Sequence, residues 1–327
     1  MAEPVKLTIA KCQALCSDFS YSQQKKSCIR LRSDKEMCDL PSHFLCELVR
    51  WKKNQARKAE LGERACSASR LNTIERCPRA YALHYLHHIE PDEGASWKRV
   101  GDAWGVARAR IDMGLDVDLE ALRADLLPYE RSRVRAAIRL YRLCCGSPSS
   151  PLKYHPGDVT CEDEVLFNHG GLWWLGFADA LSKNREHIYE WKFAVTEYDV
   201  LSIARQAAVY LSGFPEAKHF TLCVMRKPGQ RPGKTETEQA YENRIFGAMC
   251  EKPEDWIRCF TISRDQLDVS GVLHQMVAAF LSQEKAAAES GYAPHYSSCR
   301  DCDYRPICSE FIGKSTDFLV QAKKVAT

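Results

Sequence analysis

The stretch Gly176–Phe193, GFADALSKNREHIYEWKF, carries an aspartate early and a Glu-x-Lys late, on either side of a polar turn. LWWLGFADAL and HIYEWKF are both rich in aromatic and β-branched residues, and SKNRE between them has turn composition, so the segment is predicted as two strands of a hairpin. Side chains alternate along a strand. Glu190 and Lys192 therefore share one face, and Trp191 turns to the other, into the core. An antiparallel partner brings Asp179 next to Glu190. Two carboxylates that close repel, and one stays protonated unless a cation neutralises them. A hard divalent ion with oxygen ligands, Mg²⁺ or Mn²⁺, meets that need. Lys192 beside it can orient a water, help deprotonate it, or stabilise charge on an attacked phosphate. The same residues also fit a solvated sheet edge, because Asp followed by Glu-x-Lys is a loose pattern. The rest of the chain has to decide between the two.

Two further groups bear on that choice. In the helix predicted for DVLSIARQAAVYLSGF, Gln206 and Tyr210 are four apart and share a face, where they can position a backbone phosphate or the nucleophile, or form an ordinary polar stripe. The tail holds CRDCDYRPIC, with Cys299, Cys302 and Cys308 close enough in sequence for a tetrahedral metal or an iron–sulfur cluster. Cys77, in ERCPRAY, is the candidate fourth ligand. Its closure with the tail would pin the C-terminus to the first helix of the main domain as a structural clasp. Zinc is the alternative to iron and sulfur, since C-x2-C pairs serve both.

The 327 residues are enough for one large domain or two modest ones, and the net charge of +3 requires any nucleic-acid contact to come from a local basic surface. The first twenty residues have no apolar signal core and no run is long enough to span a bilayer, so the expected location is the cytoplasm, with no membrane partner. Sixteen cysteines are many for a chain of this length in a reducing compartment, where clusters bind metal and scattered ones such as Cys223 and Cys259 fill the core. Residues 1–62 form a cysteine-rich segment with Cys12, Cys16, Cys28, Cys38 and Cys46, which can hold a second metal or serve a protein partner. Residues 63–327 are the main domain. Helices are expected from Ser69 or Asn72 onward with a break at Pro78, in SWKRVGDAWGVARARIDMG, and in DLEALRADLLPYERSRVRAAIRLYRLCC, broken at Pro128. Strands are expected in CEDEVLFN, the two hairpin arms, HFTLCVMR and WIRCFTIS. Helices are expected after the hairpin and in QLDVSGVLHQMVAAFLSQEKAAAE. KPGQRPGKTETEQ reads as an exposed loop. The class is α/β or α+β with helices in front.

Taken together, Gly176-Phe-Ala-Asp179, Glu190-Trp-Lys192, Gln206-Ala-Ala-Val-Tyr210 and Cys77 with Cys299, Cys302 and Cys308 resemble the RecB-like branch of the PD-(D/E)xK nuclease superfamily. The likeness is to its iron–sulfur members, such as the AddB nuclease domain and the CRISPR-associated RecB-like exonucleases, and runs from about Ser67 to Cys308. It implies an α/β restriction-endonuclease-like core, a mixed central sheet flanked by helices, with a helical insertion and a C-terminal cysteine clasp. It also implies a metal-dependent DNA nuclease, an exonuclease of DNA replication, recombination or repair, with a 4Fe–4S cluster on the four cysteines. Asp179 and Glu190 would hold Mg²⁺ or Mn²⁺ with the Trp191 carbonyl as third ligand. Lys192 would position the attacking water, and Gln206 and Tyr210 would support substrate or nucleophile. The alternative is a non-catalytic DNA-binding or scaffold protein on the same fold.

Two departures stand out. The family often carries a histidine in a G-x-x-x-H setting ahead of the sheet, where Gly101-Asp-Ala-Trp-Gly105 has glycine, and the family pattern does not cover residues 1–62. His84, His87 and His88 do not take over that role. Glu164 is a candidate assisting acid. Lys98, Arg99, Arg108, Arg110, Arg205, Arg226, Lys227, Arg231 and Lys234 are candidate DNA contacts that read equally as solvated charges. Trp97 and Trp104 either stack on unpaired bases or fill the core.

Overall fold

In the computed structural model, the residues described are 61, 65–89, 96–114, 117–119, 126–145, 157–194, 200–299, 302 and 304–309. The cysteine-rich segment 1–62 and its boundary with the main domain lie outside them apart from residue 61, as do the side chains of Trp97 and Lys98.

A short strand β1 (Ala65–Cys66) leads into α1 (Ala68–Arg76). Ser67, rather than Ser69 or Asn72, caps α1. Its hydroxyl accepts from the Arg70 N–H at 3.1 Å, while Ser69 and Asn72 already lie inside the helix. Cys77 has extended backbone between α1 and α2 (Pro78–Tyr81), where the proline occupies the first helical position and forces the break. α2 runs on into a wide π-type turn, Ala82–Leu86.

α3 (Ser96–Asp112) and α4 (Pro128–Cys144) follow as a pair that runs in the same direction on one side of the sheet, Arg99 meeting Glu130 near their starts and Asp112 meeting Tyr141 near their ends. Glu130 starts α4. Its carboxylate takes the Leu127 N–H at 2.9 Å and the Arg99 guanidinium at 2.9 Å, so one buried acid caps one helix and ties down the other. The part of the predicted third helix before Pro128 lies mostly outside the described residues.

The strands are β2 (Val159–Thr160), β3 (Asp163–His169), β4 (Leu172–Ala178), β5 (Ala180–Ser182), β6 (His187–Ala194), β7 (His219–Arg226) and β8 (Ile257–Ser263). β3 and β4 are joined at Gly170–Gly171, where φ of 61° and 79° suits the twist of a two-residue hairpin and requires glycine. The predicted strand LWWLGFADAL is not continuous. It bends at Asp179 and changes sheets, with β4 in the order β1-β4-β3 and β5 in the order β2-β5-β6-β7-β8.

β6 and β7 are parallel and are connected by α5 (Val200–Gly213), a β-α-β crossover. β8 is antiparallel to β7 and ends the sheet. The fold is thus mixed α/β. One helix was not anticipated: α6 (Glu238–Glu251), capped by Thr237, lies between the exposed loop and β8. α7 (Val269–Glu289) is capped by Asp268 and is followed by Gly291 at φ 61°. A short α8 (Arg305–Ser309) comes last among the described elements.

The five-stranded sheet has a core on each face. Tyr189, Trp191, Cys223 and Met225 pack beneath α3, α4 and α6 with Trp104, Tyr141 and Tyr241. Ile188, Phe220, Leu222 and Val224 pack on the other face with α1, α5 and α7. Among the described residues no helix is long and apolar enough to cross a membrane.

Candidate metal centre at the strand kink

Asp179 owes its place to the bend between β4 and β5. β5 pairs antiparallel with β6 through Ala180↔Tyr189, and one step further along the ladder sets Asp179 level with Glu190. The Asp179 Oδ2 atom accepts from the Trp191 N–H at 2.6 Å, which seals the kink against β6. Trp191 faces away from Glu190 and Lys192. Its ring meets Tyr141 edge-on at 5.2 Å and Trp104 at 6.2 Å in the core under α3 and α4. Trp104 is itself fully buried and stacks on Phe193, which removes it as a platform for bases.

Glu190 is 4% exposed. One carboxylate oxygen meets the Lys192 ammonium at 2.5 Å, while Oε2 is buried and makes no hydrogen bond. Burial pushes its pKa up to about 7. The Lys192 charge works against that shift, and the Asp179 carboxylate adds to it. The Tyr210 hydroxyl is close enough to soften the shift, but it donates to the Phe177 carbonyl at 3.0 Å. Tyr210 is buried, and it braces the end of β4 just before the kink rather than facing solvent. The ring lies over Gly176, where a Cβ would sit in ordinary contact with it at 3.5 Å. Gln206 is half-buried one turn earlier on α5. Lys192 is the most open of the group, at 29% side-chain exposure.

An orphaned buried carboxylate oxygen beside a second carboxylate is a donor set that suits a divalent cation, because the ion supplies the partner that Oε2 lacks. Among the described residues, no three His, Cys, Asp or Glu side chains converge as a cage. An ion held here therefore rests on Asp179 and Glu190 and needs backbone or water oxygens for the remainder.

Sequence reasoning missed what stands behind Asp179. Arg108, listed above as a candidate DNA contact, is 1% exposed. Its two Nη atoms donate to the Asp179 carbonyl at 3.3 and 3.2 Å, and Nη2 lies 3.6 Å from Oδ1 of the same residue. Arg108 is balanced by Asp112 at 2.6 Å, and Asp112 accepts the Tyr141 hydroxyl; all three side chains are buried. The i, i+4 spacing of Arg108 and Asp112 was visible, but the same spacing is common on exposed helix faces. Gly105 lies one turn before Arg108 with open space beyond its Cα.

Two acids flank the start of β3. Glu164 pairs with Phe177, and its Oε2 is buried without a hydrogen-bond partner, while Glu162 lies just before the strand. Glu162 has left-handed backbone at φ 57°, and its charge acts on Tyr210. Of the other candidate cations, Arg205 is bound to the Glu75 carboxylate at 2.6 and 3.0 Å, linking α5 to α1. Arg99 serves Glu130, and Arg226 lies over the Trp256 ring.

The four cysteines gather at the other end of α1. Cys77 is buried, and Cys302 and Cys308 pack against the same small cluster of Ala80, Leu83, Ile89 and Tyr304. The tail is tied there by Ser298 to the Arg76 carbonyl at 2.9 Å, Tyr304 to the Ile89 carbonyl at 3.0 Å, and His84 to the Tyr304 hydroxyl at 2.9 Å. Cys77, Cys299 and Cys302 all act electrostatically on Cys308, whose thiol burial pushes up to about 11. The four thiols are near enough to act on one another electrostatically, but no three of them converge as a formed metal cage, so a metal or cluster held here would require the tail to draw in further.

Fold and site thus define a mixed α/β protein with a carboxylate–lysine centre at a strand kink. No protein-family description and no curated sequence matches the chain. Two solved structures are similar in shape. One is a presumed exonuclease from Eubacterium rectale, 14% identical, with a TM-score of 0.46 over 78% of this chain and 96% of its own. The other is SSO0001, 16% identical, with a TM-score of 0.31 over 68% of this chain and 91% of its own. At these values the likeness carries no argument about activity, which rests on the residues themselves.

Proposed function

We propose that this chain is a metal-dependent DNA nuclease, an exonuclease of the RecB-like PD-(D/E)xK kind with a restriction-endonuclease-like core. The observation that carries the proposal is the buried, unpartnered Glu190 oxygen beside Asp179, with Lys192 on the same face. Asp179, Glu190 and the Trp191 carbonyl would hold Mg²⁺ or Mn²⁺. Such an ion supplies charge neutralisation on a phosphodiester and a bound water of lowered pKa. Lys192, part-exposed and paired to Glu190, orients the attacking water and offers positive charge to the phosphate oxygens. Gln206 supports substrate from α5. Tyr210 acts through the Phe177 carbonyl by fixing the approach to the kink. Cys77, Cys299, Cys302 and Cys308 would hold a 4Fe–4S cluster, with zinc as the alternative occupant. Such a cluster would clasp the tail onto α1 and α2.

The test is cleavage of end-labelled single- and double-stranded DNA with Mg²⁺ or Mn²⁺, beside Lys192→Ala. Metal-stimulated cleavage that disappears in a folded Lys192→Ala protein is the expected result. DNA binding without hydrolysis, or equal cleavage by the variant, overturns the assignment.

A further inference from the structure

Cys223 and Cys259 face each other across β7 and β8 as direct register partners. Their sulfurs are 3.4 Å apart. That is thiol–thiol contact distance, and a disulfide closes it to about 2.05 Å. Directly opposed residues of an antiparallel pair hold their Cβ atoms about 4.5–5.5 Å apart, at the upper edge of what a disulfide spans, so a small approach of the strands completes the geometry. The two positions differ in access. Cys223 is fully buried in the middle of the sheet, whereas Cys259 is half-buried on β8, the last strand of the sheet. Both lie on the sheet face opposite Glu190 and Lys192, so the pair stands apart from the metal centre.

We propose that Cys223 and Cys259 form a reversible disulfide site whose co-substrate is a small disulfide of the glutathione type. Cys259 is reached first. Its thiolate attacks one sulfur of the small disulfide, forms a mixed disulfide and expels one thiolate, which takes up a proton. Cys223 then gives its proton to water and attacks the Cys259 sulfur, expelling the second thiolate. Two protein thiols are oxidised by two electrons, and one small disulfide is reduced to two thiols. Burial holds the Cys223 thiol well above the usual range, so the second step is the slow one. The product bonds the edge strand to its neighbour. The inference does not depend on the nuclease assignment.

The full chain can be equilibrated in glutathione buffers from wholly reduced to wholly oxidised, quenched in acid, alkylated and digested with trypsin. Cleavage after Lys218, Arg226, Arg258 and Arg264 leaves each cysteine alone in its peptide, 219–226 and 259–264. The expected product is those two peptides linked, two hydrogens lighter, and released by dithiothreitol. In Cys223→Ser, Cys259 should instead retain a glutathione adduct, which distinguishes attack at Cys259 from attack at Cys223. The proposal is overturned if both thiols remain alkylatable in the oxidised buffer, or if Cys259 links to Cys144 or Cys250, the thiols nearby. The mapping of the unmutated chain stands even if the variant does not fold.

Discussion

Replacing Arg108 by methionine tests the internal brace of the site. The side chain is of similar length but cannot hold Asp112, which is fully buried and would keep the Tyr141 hydroxyl without its 2.6 Å cation. Breaking a buried pair from one side costs about 3–5 kcal/mol, because an uncompensated charge is left in the interior. Removing the charge as well, in Arg108→Met/Asp112→Asn, keeps an acceptor for Tyr141 and should recover at least half of that loss. Urea unfolding at constant m-value measures both variants. A loss below about 1 kcal/mol for the single variant, or a double variant as unstable as the single, would refute the claim that Arg108 and Asp112 are mutually required. The double variant has a second use. It lacks the two hydrogen bonds that hold the Asp179 carbonyl, so if Arg108 positions the kink the variant binds a divalent ion more weakly than the parent, although a nearby positive charge has been removed.

Three further outcomes follow from the structure. Burial raises Glu190 to about 7, so the metal-free folded state takes up this proton more readily than the unfolded chain. Its contribution to stability is full below about pH 4.5 and is lost as pH rises through about 7; thermal melts in chelator should show that component vanish in Glu190→Gln. Gly213 lies against β3, and a Cβ there would meet Val165 Cγ1 at 2.1 Å, so Gly213→Ala should destabilise by about 1–3 kcal/mol in urea melts, through overpacking alone. Purified protein with the proposed cluster should be brown and bleach with dithionite, and Cys302→Ala should lose the colour and stability before activity; a colourless protein with stoichiometric zinc assigns zinc instead.

Most strands were legible in the sequence because β-branched and aromatic residues fell between turn residues, as in HIYEWKF and HFTLCVMR. The kink at Asp179 was not, because LWWLGFADAL has the composition of one strand and the bend is set by β5 pairing with β6. α6 carries a helical apolar spacing in Tyr241, Ile245 and Met249, but it directly follows a long exposed loop whose polar composition runs into its first turn. At the site, the sharing of a face by Glu190 and Lys192 is a property of strand geometry and could be read directly. Burial of Arg108 and the turning of Tyr210 onto the Phe177 carbonyl both depend on how separate elements meet. No local pattern encodes such meetings.

The central claim is that the kink and β6 together make one divalent-ion site. Mn²⁺ titration followed by electron paramagnetic resonance reads it without DNA or catalysis. One bound Mn²⁺ per chain at the kink is predicted, tightening about tenfold per pH unit up to about 7 as Glu190 ionises, and lost in Glu190→Gln. Equal Mn²⁺ binding by the parent and Glu190→Gln, or none by the parent above pH 7, would contradict it.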